Sequence, residues 1–111
     1  MHRTTLTLSG ATAVFAKGRL TFPSVHSLRE QLLRLVENGA ARVVVDLSGV
    51  ESIDSSGVGA LVSGLKAARS VGGDLRLAEP PAAIVSLLTI LNLVNVLAIF
   101  DSAESAFPHT V

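Results

Sequence analysis

The residues best placed to do chemistry are Asp54-Ser55-Ser56-Gly57. A serine hydroxyl at a helix start can cap unpaired backbone N–H groups, or it can stand where a kinase reaches it. A phosphate there would meet those N–H groups and the positive end of the helix dipole. Val58, Leu61, Val62 and Leu65 recur at helical spacing and predict a helix over 56–70. Gly57 and Gly59 strip side chains from its first turn, at a cost of about 1 kcal/mol each. Another backbone or a bulky partner must therefore come close to that turn. Ser56, Gly59, Ala60 and Ser63 form a nearly smooth stripe opposite the apolar one, leading towards Lys66, Ala67 and Ser70. Two readings of the stripe stay open: docking against another protein, or close packing inside the fold.

Other chemistries find little support. A serine-hydrolase elbow needs glycine two residues before and two after the serine, but Ile53 precedes Ser55 by two and Asp54 precedes Ser56 by two. His2, His26 and His109 are scattered, with no spacing that positions a general base or pairs two metal ligands. Gly57-Val58-Gly59 lacks the third glycine of a dinucleotide fingerprint. The chain has no cysteine, which excludes disulfides, thiolate metal sites and cysteine nucleophiles. Nine basic and nine acidic residues give a net charge of +0 without a basic stripe, so nucleic acid is not expected as a direct partner. Four Phe, without Trp or Tyr, provide no stacking platform for bases. The expectation is a protein that is not an enzyme and uses no cofactor or metal.

The elements that must position the serines follow from periodicity. At 111 residues, 49% apolar and 16% charged, the chain suits one compact domain over 1–111. Alternation predicts a strand over 4–8, a turn at Ser9-Gly10 and a second strand over 13–20. Ser24 is the expected N-cap of a helix striped by Val25, Leu28, Leu32 and Leu35, with Arg29, Glu30, Arg34 and Glu37 in solvent. Gly39 suits its left-handed end. The β-branched run 42–47 predicts a central strand covered on both faces, and 48–54 reads as a loop. Gly72-Gly73 ends the helix over 56–70, and 75–78 is the next strand. Strands separated by helices imply a largely parallel or mixed sheet.

The segment 82–100 has no charged side chain. Pro80 and Pro81 at its start, Asn92 and Asn95 within it and acidic flanks at Glu79 and Asp101 oppose a membrane span. The reading is a buried helix to about Leu91, a buried strand over 96–100 and a short helix after Asp101. The very apolar helix is left as either a hydrophobic docking face or an unusually buried element.

Val45-Asp46-Leu47-Ser48, then Ile53-Asp54-Ser55-Ser56-Gly57-Val58-Gly59-Ala60-Leu61, then Gly72-Gly73-Asp74-Leu75-Arg76-Leu77-Ala78 resemble the STAS domain, specifically bacterial anti-sigma factor antagonists. Gly18-Arg19-Leu20 and the helix after it fit the same pattern, and the likeness covers roughly 4–106. It implies an α/β fold with a mixed, mostly parallel sheet of about five strands and helices mainly on one side. It implies a cytoplasmic bacterial phosphoprotein that regulates transcription through protein–protein interaction. A serine/threonine kinase that is also the anti-sigma factor would phosphorylate Ser55, and a serine phosphatase would restore it. The unmodified form would bind the anti-sigma factor and free sigma. The implied contact surface includes Asp54, Ser56, Gly57, Gly59, Ala60 and Ser63. It also includes Thr21, where the family commonly has aspartate. The alternative within the same resemblance is a structural STAS subunit of an ABC-type lipid transporter or of a stress-signalling assembly.

Overall fold

The computed structural model describes residues 3–6, 10–22 and 24–107. Five strands form one sheet: β1 (Arg3–Leu6), β2 (Thr12–Leu20), β3 (Arg42–Ile53), β4 (Asp74–Ala78) and β5 (Ile99–Phe100), in spatial order β1-β2-β3-β4-β5. The pair β1–β2 is antiparallel and the other three pairs are parallel. Each parallel pair is joined through a helix: α1 (Val25–Glu37), α2 (Ser55–Ser70) and α3 (Ala82–Ile90), with α4 (Ala103–Ala106) last. The α/β reading therefore holds. The last two residues of the strand expected over 4–8, Ser9 of the expected turn, Pro23, His2 and His109 lie outside the described residues.

Alternation along the strands sorts side chains onto two faces. Val14, Ala16, Val43, Val45, Leu75 and Leu77 join Leu28, Leu32, Leu61, Leu65, Ile84 and Leu88 in the main core beneath α1, α2 and α3. Ala13, Val44 and Ala78 face the other way and are covered by Ala106 and Phe107, with Phe15 and Phe100 beside them. The centre of β3 is thus covered on both faces, as its unbroken β-branched run requires. Arg76 holds the thinner second layer in place. It donates to the Ala106 carbonyl at 2.6 Å, pairs with Asp74 at 3.1 Å and stacks 4.2 Å from the Phe107 ring centroid.

Four sequence expectations need correction. Residues 48–53 are not loop: β3 continues to Ile53 because β2 offers partners as far as Lys17↔Gly49, Gly18↔Val50, Arg19↔Ser52 and Leu20↔Ile53. Two register shifts each place one extra residue in β3. At the first, the Ser48 N–H donates to Asp46 Oδ1 at 2.9 Å and the Ser48 hydroxyl to the same oxygen at 2.6 Å. Buried Asp46, 4% exposed, thus satisfies the bulged backbone. Second, Ser24 does not cap α1. Its hydroxyl lies 2.7 Å from both the Arg19 and Thr21 carbonyls, to either of which it can donate, so it holds the β2–α1 turn instead.

The strand expected over 96–100 is only two residues long, because 93–97 is tied up in local turns: the Leu93 N–H donates back to Leu88, and those of Val96 and Leu97 to Leu93. Asn92, at φ 57°, makes the left-handed reversal that ends α3. Finally, α3 is buried on one face only, through Ile84 and Leu88, while Ile90 is 76% exposed. No helix among the described residues is long and apolar enough to cross a membrane.

At Gly39, φ is 101°, and the Ala40 N–H returns to the Leu35 carbonyl, ending α1 as the sequence suggests. Gly57 is needed for a different reason. A Cβ there would lie 2.3 Å from the Leu20 carbonyl oxygen and 2.5 Å from Ile53 Cγ1, whereas one on Gly59 would meet nothing within 4 Å. The close approach inferred for this turn is therefore made by the chain's own β2 at Gly57. Gly57→Ala should lower stability by about 1–3 kcal/mol through overpacking. Gly59→Ala should raise it by up to about 1 kcal/mol through helix propensity. Urea unfolding midpoints of both variants check this, and shifts in the same direction would refute the assignment.

Candidate functional site

Helix α2 begins at the end of β3, beside the end of β2, because the two strands stay paired to Leu20↔Ile53. Asp54 is its N-cap, in extended conformation, and Oδ1 accepts from the N–H groups of Ser56 at 2.8 Å and Gly57 at 3.1 Å. Its other oxygen, Oδ2, accepts from the Phe22 N–H at 3.4 Å, and its own N–H donates to the Leu20 carbonyl at 3.3 Å. One carboxylate thus joins the first turn of α2 to the β2–α1 turn. Partial desolvation is the largest single influence on its acidity and pushes the pKa up. Hydrogen bonds from the Gly57, Phe22 and Ser56 backbones, with the Ser56 hydroxyl, outweigh it and hold the carboxyl below the ordinary value of 3.8.

The cap is therefore Asp54 rather than a serine, and α2 starts one residue earlier than its periodicity suggests. Ser55 is the first helical residue and is exposed, and its hydroxyl has no hydrogen-bond partner among the described residues. The idea that open helix-start donors await a phosphate is corrected by the same bonds. The Ser56 and Gly57 N–H groups already serve Asp54 Oδ1, and the Val58 N–H serves the Asp54 carbonyl at 3.1 Å. A phosphate on Ser55 would have a carboxylate for a neighbour.

The other expected contact residues divide. Ser56 and Ser63 are half-buried and Gly59 is exposed, so these three reach the surface. Gly57 is buried, and Ala60 is 2% exposed because α1 lies along that side of α2. The stripe is thus closed by packing inside the fold at Ala60 and left open to the surface at Gly59. Thr21 is half-buried at the end of β2, with its carbonyl accepting from the Val25 N–H at 2.9 Å. Periodicity passes over Phe22, His26 and Arg29. Phe22 is 71% exposed, and all three border a groove of about 370 Å³ between α1 and α2 that also includes Gly59, Ala60 and Ser63. The only sequence signal for Phe22 was an aromatic residue standing outside every periodic stripe. Among the described residues, no group of three or more His, Asp or Glu side chains is arranged to hold a metal ion.

A family model of the STAS domain matches residues 3–106. This chain belongs to the STAS domain family. Among STAS relatives, a candidate anti-sigma factor antagonist from Thermotoga neapolitana is 37% identical over 71 residues, which are 64% of this chain and 63% of that protein. The chain thus spans less than two thirds of that curated relative. The crystal structure of a candidate anti-sigma factor antagonist from Thermotoga maritima superposes with a TM-score of 0.87 at 25% identity, covering 96% of this chain and 91% of the other. The anti-sigma factor antagonist SpoIIAA in its unphosphorylated form has a TM-score of 0.73 at 17% identity, over 95% of this chain and 92% of its own, and shows the shared fold. The mixed five-stranded sheet matches that fold.

The lowered pKa of Asp54 fixes a pH dependence. A carboxyl more acidic in the folded state contributes stability above its unfolded value of 3.8, and that contribution is lost as pH falls through the lower folded value. Asp54→Asn keeps an acceptor but cannot titrate. It should melt below the wild type near pH 7, with the gap closing as pH falls below about 3.8. Parallel melts from neutral to acid pH check this; a gap that stays constant would contradict the assignment.

Proposed function

We propose that this STAS protein is a cytoplasmic anti-sigma factor antagonist rather than an enzyme. On this reading its unmodified form binds an anti-sigma factor that is also a serine kinase, and phosphorylation of Ser55 ends the contact. The observation that carries the reading is the exposed Ser55 hydroxyl, first in α2 and directly after the capping carboxylate of Asp54. Further support comes from relatives and fold neighbours named as anti-sigma factor antagonists, one of them described in an unphosphorylated form. Asp54, Ser56, Gly59, Ser63 and Thr21 belong to the contact surface, with Gly57 and Ala60 supporting it from beneath. A serine phosphatase reverses the modification.

The energetics suffice without a change of fold. Transfer from ATP leaves ADP and adds about −1.5 to −2 charges to Ser55 at neutral pH. That charge lies beside Asp54, whose donors are already engaged, so a docked partner must either match it or bury it unpaired. An unmatched buried charge costs on the order of several kcal/mol, and about 1.4 kcal/mol is tenfold in affinity.

A second reading, as a structural subunit of an ABC-type lipid transporter or a stress-signalling assembly, is favoured by exposed Ile90 and Leu91 at the end of α3. Pull-down from lysate of the source bacterium separates the two: a histidine-kinase-like ATPase supports sigma control, an ABC ATPase the structural role.

Incubation with the anti-sigma kinase of the same bacterium and ATP should place one phosphate on Ser55 by peptide mass spectrometry, and Ser55→Ala should abolish it. Ser55→Asp should weaken binding of that kinase by about a hundredfold or more. Its melting temperature should stay within about 2 °C of the wild type, as for an exposed surface substitution. Phosphate on another residue, or equal affinity of the two forms, would remove the proposal.

A further inference from the structure

We infer that the groove between α1 and α2 receives an acidic segment of the partner that inserts an apolar side chain, with Phe22 as the aromatic lip and Arg29 as the charge that selects it. This rests on the antagonist reading and specifies the chemistry of the partner's contacting segment. The groove, about 370 Å³, opens beside the first turn of α2, and Ser56, the neighbour of Ser55, is part of its lining. Its floor is small and smooth: Ala60 is 2% exposed, and nothing stands within 4 Å of where a Cβ on Gly59 would be. Val25 and Ala60 give the lining apolar side chains, and Phe22, 71% exposed, borders it. Aromatic side chains, Phe among them, and Arg are enriched at interface cores relative to the rest of the surface. The Phe22 N–H donates to Asp54 Oδ2 at 3.4 Å, which ties the backbone at the lip to the first turn of α2.

The groove's lining includes Arg29 as its one Lys, Arg, Asp or Glu side chain, so the fixed charge of the lining is positive. Arg29 is exposed and has no ion-pair partner among the described residues, unlike Arg69 and Arg76, which both engage Asp74. Lys66, one turn beyond Ser63, is exposed as well. Asp54, the nearest acidic residue in sequence to the groove's α2 residues, spends both oxygens on backbone N–H groups. An acidic segment complements such a surface, and a basic one does not. The same assignment explains the sign of the switch, because a dianion on Ser55 stands next to the groove and repels a negatively charged occupant.

The test uses the full chain and the anti-sigma kinase that binds it, titrated calorimetrically at low and high salt. Phe22→Ala should weaken binding about thirtyfold or more at either salt concentration. Arg29→Glu should weaken it about tenfold or more at low salt and less at high salt, while Arg29→Lys should stay within about threefold of wild type. Both residues replaced are exposed, so melting temperatures should not move. An acid-to-lysine change on the partner that restores binding to Arg29→Glu identifies the paired residue. Wild-type binding with Phe22→Ala and Arg29→Glu unimpaired overturns this inference alone. Failure of the kinase to bind the wild type overturns both it and the antagonist reading. Self-association that Arg29→Glu abolishes would assign the groove to a second copy and overturn it equally.

Discussion

The carboxylate of Asp54 is the interaction on which the candidate site depends. It accepts from Ser56 and Gly57 with one oxygen and from Phe22 with the other. The bonds to Ser56 and Gly57 satisfy donors that a helix start leaves unpaired, and the bond to Phe22 reaches across to a separate turn. The reach is possible because β2 and β3 stay paired, through two bulges, to their last residues, Leu20 and Ile53, so both strands leave the sheet side by side. Ser55 and Phe22 are therefore parts of one assembly, although they are more than thirty positions apart in sequence.

A rigid scaffold underlies that assembly. β3 is covered on both faces, and Gly57 lets α2 begin directly against the Leu20 carbonyl. Farther along, Gly64 brings α2 onto Leu32 of α1 and Leu75 of β4, so the two helices and the sheet pack closely. Such a frame has little freedom to rearrange when a surface serine is modified. The switch proposed above would work through charge at the contact surface, with no movement of the core required.

The fold is shared with neighbours at 17% identity, and a shared scaffold does not transmit a partner preference. The rim of this chain carries uncharged Thr21 at the end of β2, an exposed Phe22, Arg29 on α1 with no ion-pair partner among the described residues, and an α3 that leaves Ile90 and Leu91 in solvent. These side chains contribute little to the core, so their identities are free to follow a partner.

The sequence alone was enough to determine the class of fold, the central strand from its β-branched run, the helices from their stripes, the end of α1 at Gly39, and Asp54-Ser55-Ser56-Gly57 as the place to look. Each of these is a local preference or a periodic pattern, and such signals survive without knowledge of neighbours. Tertiary structure alone decided the rest. Residues 48–53 carry turn-forming types, yet they extend β3 because β2 supplies hydrogen-bond partners and Asp46 satisfies the bulge. Ser24 has the composition of a cap but spends its hydroxyl on the preceding turn. The stripe on α2 could not be divided from spacing, since only the position of α1 buries Ala60 and leaves Gly59 open. The groove with Phe22 and Arg29 joins two helices separated by a strand, and a contact of that range leaves no periodic trace in either.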